Sequence, residues 1–154
     1  MKYLKMAASA ALVIGTVLGL GLVGAGSAGA ATGRWVAYGN TSPFDVGTSS
    51  WYCGQTSTVA SKVLAQVCVV RSADEHYAQS AVIVRNNNTN LVGVTAQSDL
   101  SRGDEFVDRW SCANSGVAAN SWSVCFGATG NYWAYYVKAR GDANLVSLPP
   151  SPWA

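Results

Sequence analysis

The segment Trp51-Tyr52-Cys53 … Val67-Cys68 returns later in the chain as Trp110-Ser111-Cys112 … Val124-Cys125. The echo continues. Ala81-Val82-Ile83-Val84-Arg85 answers to Ala134-Tyr135-Tyr136-Val137-Lys138, and Asn90-Leu91-Val92 to Asn144-Leu145-Val146. Two copies of one unit, over about 49–98 and 106–148, recur at a period of about 55 residues. A unit that short is marginal as an independent domain, so the copies are expected to share one core.

Residues 1–30 read as a segment removed before folding. Lys2 and Lys5 form a basic start, residues 7–23 are small and apolar apart from Ser9 and Thr16, and Ala28-Gly29-Ala30 fits a small-x-small cleavage pattern. This is the grammar of a secretory signal peptide. The alternative is a membrane anchor, because the apolar run approaches spanning length. The many glycines and alanines in its second half, and the cleavage pattern behind it, argue against an anchor. No twin arginine precedes the run, which favours the general secretory route, and no cysteine near the cleavage point invites a lipid. The expected product is one exported domain, 31–154, with no membrane attachment.

Export changes the reading of charge and of cysteine. The formal net charge of +2 rests on Lys2 and Lys5; without them, basic and acidic residues balance. A nucleic-acid partner therefore loses its electrostatic support. The four cysteines are an even number in an oxidising compartment, so disulfides are expected. The duplication selects one pairing of three: Cys53–Cys68 and Cys112–Cys125. A zinc site is the rival, but neither pair has the C-x-x-C spacing. Loops of this length should each contribute roughly 3 kcal/mol through the unfolded state.

Helix signals are scarce, with one plausible helical turn over 58–66. Short runs rich in Val, Tyr, Trp and Thr, bounded by Gly, Asn, Ser and Asp, predict strands at 34–38, 49–53, 63–71, 79–85, 91–96, 108–112, 121–127, 132–138 and 145–148. Hairpin turns are expected at 86–90 and at Arg140-Gly141-Asp142. The Pro149-Pro150-Ser151-Pro152 tail should run extended over the surface. Comparing the copies assigns faces. Ala65, Val67 and Val69 match Trp122, Val124 and Phe126, and both sets are expected inward; Ala65 and Trp122 should then complement each other in volume across one core. Val82 and Val84 match Tyr135 and Val137, which puts Tyr135 and Trp133 in the core and Tyr132 and Tyr136 outside. The expected fold is all-β: a disulfide-stapled sandwich, Ig-like or similar, built from two similar half-units.

Catalytic chemistry finds little to stand on. The single histidine, His76, follows Asp74 and Glu75 in a polar loop, which reads as a solvated turn. It would be the only base for a serine triad, and no G-x-S-x-G elbow accompanies it. Asp104, Glu105 and Asp108 are the densest carboxylates, but they read as a connector between the copies, whereas a glycosidase opposes two across a cleft. Bridged cysteines cannot act as nucleophiles. The tripeptides Arg102-Gly103-Asp104 and Arg140-Gly141-Asp142 resemble the cell-adhesion motif but read as turns. No enzyme, cofactor or metal is expected.

The aromatics remain. Six tryptophans serve this chain: Trp35, Trp51, Trp110, Trp122, Trp133 and Trp153. Trp51 and Trp110, each two residues from a cysteine, read as core beside a disulfide. On a strand over 132–138, Tyr132, Tyr136 and Lys138 share the outward face, with small Ala134 between the rings. That slot would stack on a sugar or another flat partner while Lys138 donates hydrogen bonds. The W-x-C … V-C pattern followed by an A-V-x-V-type strand resembles small secreted actinomycete proteins of unknown function, over residues 51–148 as two copies. The resemblance implies a structural framework and carries no site residue across. The expectation is a secreted, non-catalytic binding domain for an extracellular polysaccharide or protein. The alternative is a small inhibitor or toxin-like effector acting through the disulfide-held loop 54–66.

Overall fold

A computed structural model describes residues 29–154. The expected leader lies outside the described residues except for its last two. No helix among the described residues is long and apolar enough to cross a membrane.

Twelve strands follow in chain order: β1 (Ala31–Thr32), β2 (Arg34–Gly39), β3 (Ser50–Cys53), β4 (Ser57–Ala60), β5 (Val63–Arg71), β6 (Tyr77–Asn86), β7 (Val92–Arg102), β8 (Glu105–Val117), β9 (Ser121–Phe126), β10 (Gly130–Asn131), β11 (Val137–Ala143) and β12 (Val146–Leu148). They form two sheets. The five-stranded sheet runs β1-β8-β7-β11-β12; the seven-stranded sheet runs β2-β9-β6-β5-β3, with β10 beside β6 and β4 beside β5. The all-β sandwich is as expected, and so are both disulfides, Cys53–Cys68 and Cys112–Cys125. Such bridges are typical of extracellular proteins.

Chain ends cover both open sides of the sandwich. β1 pairs with β8 in one sheet and β2 with β9 in the other, so the N-terminal strand changes sheets at Gly33. A Cβ there would lie 2.8 Å from Cys112 Sγ, so only glycine lets the chain cross over the disulfide. Opposite, the tail prolongs the line of β12. Ser151 N–H donates to Ala139 O (3.0 Å), and Ala154 and Val137 exchange both backbone bonds (3.0 and 2.9 Å). The tail is extended as expected, but it is knitted to the ladder rather than laid over the surface. Pro149 and Pro150, which cannot donate, fall in its unpaired stretch. Both arrangements protect sheet edges from pairing with other chains.

The core between the sheets is built from Val63, Ala65, Val67 and Val69 of β5, Val82 and Val84 of β6, and Val94, Ala96 and Leu100 of β7, with Trp110, Cys112, Cys125, Val137 and Ala139. β9 departs from expectation. Val124 and Phe126 face away from this core, into an outer layer with Cys68, Val70, Ala81 and Ile83, against which Trp51 and Trp122 pack. Ala65 and Trp122 therefore do not share a core. The cause is the segment that leaves β2. A 3-10 turn at Pro43–Asp45 places Phe44 edge-on to Trp51 (5.6 Å between centroids) and to Trp122 (6.4 Å). With both faces of the sheet covered, alternation no longer reports which side is inside.

Three further expectations give way. Residues 58–66 hold no helical turn: β4 and β5 meet at Ser61-Lys62, with Lys62 at φ 56°. Asp104 and Glu105 are not a connector. They belong to the hairpin joining β7 to β8, whose first turn position, Gly103 at φ 54°, supplies the positive φ such a turn requires. Arg140-Gly141-Asp142 lies inside β11, and the turn is Asn144-Leu145, with φ 48° and 65°.

Candidate functional site

The end of the sandwich where β5 stops and β11 starts carries the most exposed aromatic surface. Residues 132–136 are not the outward strand expected of them. Ala134 has φ 65°, which ends extended structure at that point. Asn131 Oδ1 accepts from Trp133 N–H at 3.1 Å, and Tyr135 N–H donates to Tyr132 O at 3.0 Å, so the run is a compact turn. The faces invert as a result. Tyr132 is buried in the core at 9 % exposure, whereas Trp133 (64 %), Tyr135 (51 %) and Tyr136 (76 %) are outside. Burial raises the pKa of the Tyr132 phenol, against the pull of Arg102. Tyr132 is therefore excluded from a stacking site, while Tyr136 is exposed as expected. Lys138 sits on β11, its ammonium 5.3 Å from the ring centre of Trp153.

Arg71 holds this end together. It is the one charged residue of β5 and only 6 % exposed. Its guanidinium donates to Glu75 O (2.5 Å), Tyr135 O (2.5 Å) and Ala154 O (3.1 Å). One side chain thus ties the 72–76 turn, the aromatic turn and the tail. His76 O accepts from Tyr132 N–H (2.8 Å), and Tyr136 O accepts from Gly103 N–H (3.1 Å). The backbone of the aromatic turn is fixed at both ends and in the middle, so little ordering of that backbone is left for a ligand to impose.

The 72–76 turn forms the facing wall. Ser72 Oγ donates to Asp74 Oδ1 (2.5 Å), and the His76 N–H donates to the same oxygen (3.1 Å). The Ser72 hydroxyl, then the His76 amide, hold the Asp74 carboxyl below its ordinary range. The His76 ring meets Trp133 at 5.5 Å, tilted by 60°. Between the walls opens a pocket of about 370 Å3, with Arg71, Asp74, Glu75 and Tyr52 facing the rings of Trp133, Tyr135 and Tyr136. Arg102 stacks over Tyr135 from outside, 4.7 Å from its centroid.

Of the residues expected to bind, the structure brings exposed Tyr136 and half-buried Lys138 to this end and removes Tyr132. Reading the sequence missed Arg71 and placed Trp133 and Tyr135 in the core, while Trp153, with Trp35, stood as the fallback position for a site. Arg71 had a signal: a lone charge closing an otherwise uncharged nine-residue strand. Among the described residues, no three His, Cys, Asp or Glu side chains gather as a metal set. No protein-family model matches the chain, and no curated protein or solved structure matches it either.

Proposed function

We propose that this is a secreted, non-catalytic domain that binds an extracellular glycan in the pocket between the 72–76 turn and the aromatic turn. The pocket carries the reading: a buried guanidinium and two carboxylates face three exposed rings across about 370 Å3. Sugars offer flat C–H faces for rings and hydroxyl edges for charged acceptors and donors, and this volume lies toward the small end of the roughly 300–1,000 Å3 of ligand sites. Export is supported by the leader pattern, by the two disulfides and by the start of β1 at Ala31, directly after the expected cleavage. Asp74 and Glu75 share one turn rather than opposing each other, which supports binding over hydrolysis.

The inhibitor alternative draws less support. Residues 54–66 fold back as β4 and the start of β5, and their tip is tied down by Asn87 N–H to Lys62 O and Asn88 Nδ2 to Ser61 O, both 2.9 Å. An inhibitory loop stands proud of its scaffold, and this one is part of a sheet edge.

The test is a pull-down on insoluble chitin, cellulose and cell wall. Wild type should be retained on at least one, and a folded Trp133→Ala/Tyr136→Ala variant should lose at least tenfold in affinity. No retention of wild type on any of them removes the reading.

A further inference from the structure

We infer that the ligand is a linear acidic polysaccharide that crosses three adjoining hollows, with Lys138 and Arg140 receiving its anionic group. The inference rests on the glycan reading above and extends it along the surface. The pocket shares Tyr136 with a second hollow of about 410 Å3, bounded also by Gly103 and Trp153. That hollow shares Gly103 and Trp153 with a third, of about 230 Å3, which reaches Ser101, Asp104, Lys138 and Arg140. Tyr136 and Trp153 are thus partitions in a continuous row, each with a hollow on either side. One sugar occupies one hollow; the row as a whole suits an extended chain.

Charge gives the row a direction. Lys138 and Arg140 alternate outward from β11 while Val137 and Ala139 are buried. Among the described residues neither cation forms an ion pair. Asp99, opposite Arg140 in register, is held instead by Arg109 through bonds of 2.6 and 2.7 Å. With Asp104, the third hollow carries one net positive charge; with Arg71, Asp74 and Glu75, the pocket carries one net negative charge. An anionic sugar is favoured at the Trp153 end. A peptide is a poorer occupant. β11 is hydrogen-bonded to β7 on one side and to β12 and the tail on the other, so an extended peptide finds no strand edge to join.

The experiment is titration calorimetry with two hexasaccharides: the neutral N-acetylglucosamine hexamer, and the alternating N-acetylglucosamine–glucuronate hexamer with its disaccharide. At low salt the acidic hexamer should bind at least tenfold tighter than the neutral one, and at least tenfold tighter than its own disaccharide. The preference should fade as salt screens the cations. In Lys138→Gln/Arg140→Gln the ratio of acidic to neutral affinity should fall toward one, and in Arg140→Glu it should fall as well; melting temperatures report that both variants are folded. Equal binding of the two hexamers by wild type, a disaccharide that binds as tightly as its hexamer, or a preference that survives both variants overturns the three-hollow assignment while leaving the pocket. Failure of every sugar overturns the glycan reading itself. Binding of a hexaglutamate peptide in their place makes this a protein-docking surface and refutes the inference.

Discussion

Cys53 and Cys68 face each other on paired strands of one sheet, with Cα atoms 4.0 Å apart. Cys112 and Cys125 belong to different sheets, 6.0 Å apart, and their bridge passes through the core. The tryptophans that precede them diverge in the same way. Trp110 is buried between the sheets, against Gly127, where a Cβ would lie 2.6 Å from the indole. Trp51 lies in the outer layer, half-buried, under Phe44. The same W-x-C … V-C pattern is thus put to two uses. A bridge between paired strands repeats what the ladder already specifies; a bridge between sheets fixes a distance that side-chain packing alone would otherwise set. Homologous-looking segments need not occupy equivalent places, because β3 and β8 join different sheets.

The sharpest way to break this comparison is to remove each bridge in turn. The loops are close in length, with separations of 15 and 13 residues, so the unfolded-state contribution of each is about 3 kcal/mol. Any difference must come from the native state. Replacing Cys112 and Cys125 by alanine also leaves a void in the core, and should cost about 4–5 kcal/mol in urea unfolding. Replacing Cys53 and Cys68 should cost about 2–3 kcal/mol. Equal losses would show that the inter-sheet position has no special weight.

The tryptophans repeat the contrast at a smaller scale. Trp110→Ala should cost about 3–4 kcal/mol as a large core truncation, and Trp51→Ala about half of that. Trp51 adds a diagnostic of its own. Its Nε1–H is buried without a partner. An unsatisfied buried donor costs about 1–3 kcal/mol, so Trp51→Phe should be close to neutral, whereas Trp110→Phe should be clearly destabilising. A large loss from Trp51→Phe would mean that the indole of the outer layer is held by a bond the geometry does not show.

What could be read beforehand follows from the same physics. β5 was legible to the residue because it is valine-rich, uncharged until its end and closed by Arg71. The pairing of the cysteines was legible from the recurring W-x-C … V-C pattern. The face of β9 was not, because Val124 and Phe126 are covered by a loop whose role shows only in three dimensions. The site was half legible. Tyr132-Trp133-Ala134-Tyr135-Tyr136 has the composition of a strand, and composition says nothing of the positive φ at Ala134 that turns it into a rim. The place of Arg71 at this end depends on carbonyls 64 and 83 residues away, which no local pattern reveals.

The corresponding turns of the two segments offer a subtler probe: the hairpin expected at 86–90 is instead a crossing from β6 in one sheet to β7 in the other, whereas β11 and β12 do form a hairpin. In the first copy the turn is organised by Asn86, fully buried, whose amide donates to Asn90 O, Val117 O and Ala118 O at 2.9–3.0 Å. In the second, Leu145 sits at φ 65° and is 93 % exposed, so it carries left-handed strain with no packing to offset it. Such strain costs about 1–2 kcal/mol for a residue with a Cβ, part of which glycine gives back as unfolded-state entropy. Leu145→Gly should therefore stabilise by about 0.5–1 kcal/mol. A loss on substitution would mean that Leu145 packs against something in solution.

The smallest expected effect is one of charge. Asp142 of β11 stands opposite Gln97 of β7. Partial burial, then the charge of Asp99, raise the Asp142 pKa above its ordinary 3.8, with Arg109 opposing. A carboxyl whose folded pKa is raised imposes nothing below 3.8, where it is protonated in both states. Its cost grows as pH rises from 3.8 through the folded value and is constant above that. Asp142→Asn should therefore leave the melting temperature unchanged near pH 3 and raise it at pH 7. The gain should stay well under about 1 kcal/mol, because solvent reaches the carboxylate and screens it. The rise should shrink in Asp99→Asn, since that neighbour supplies part of the shift. A gain of equal size at both pH values would place the benefit in packing rather than charge; a loss at pH 7 would show that the attraction of Arg109 outweighs burial and Asp99 together.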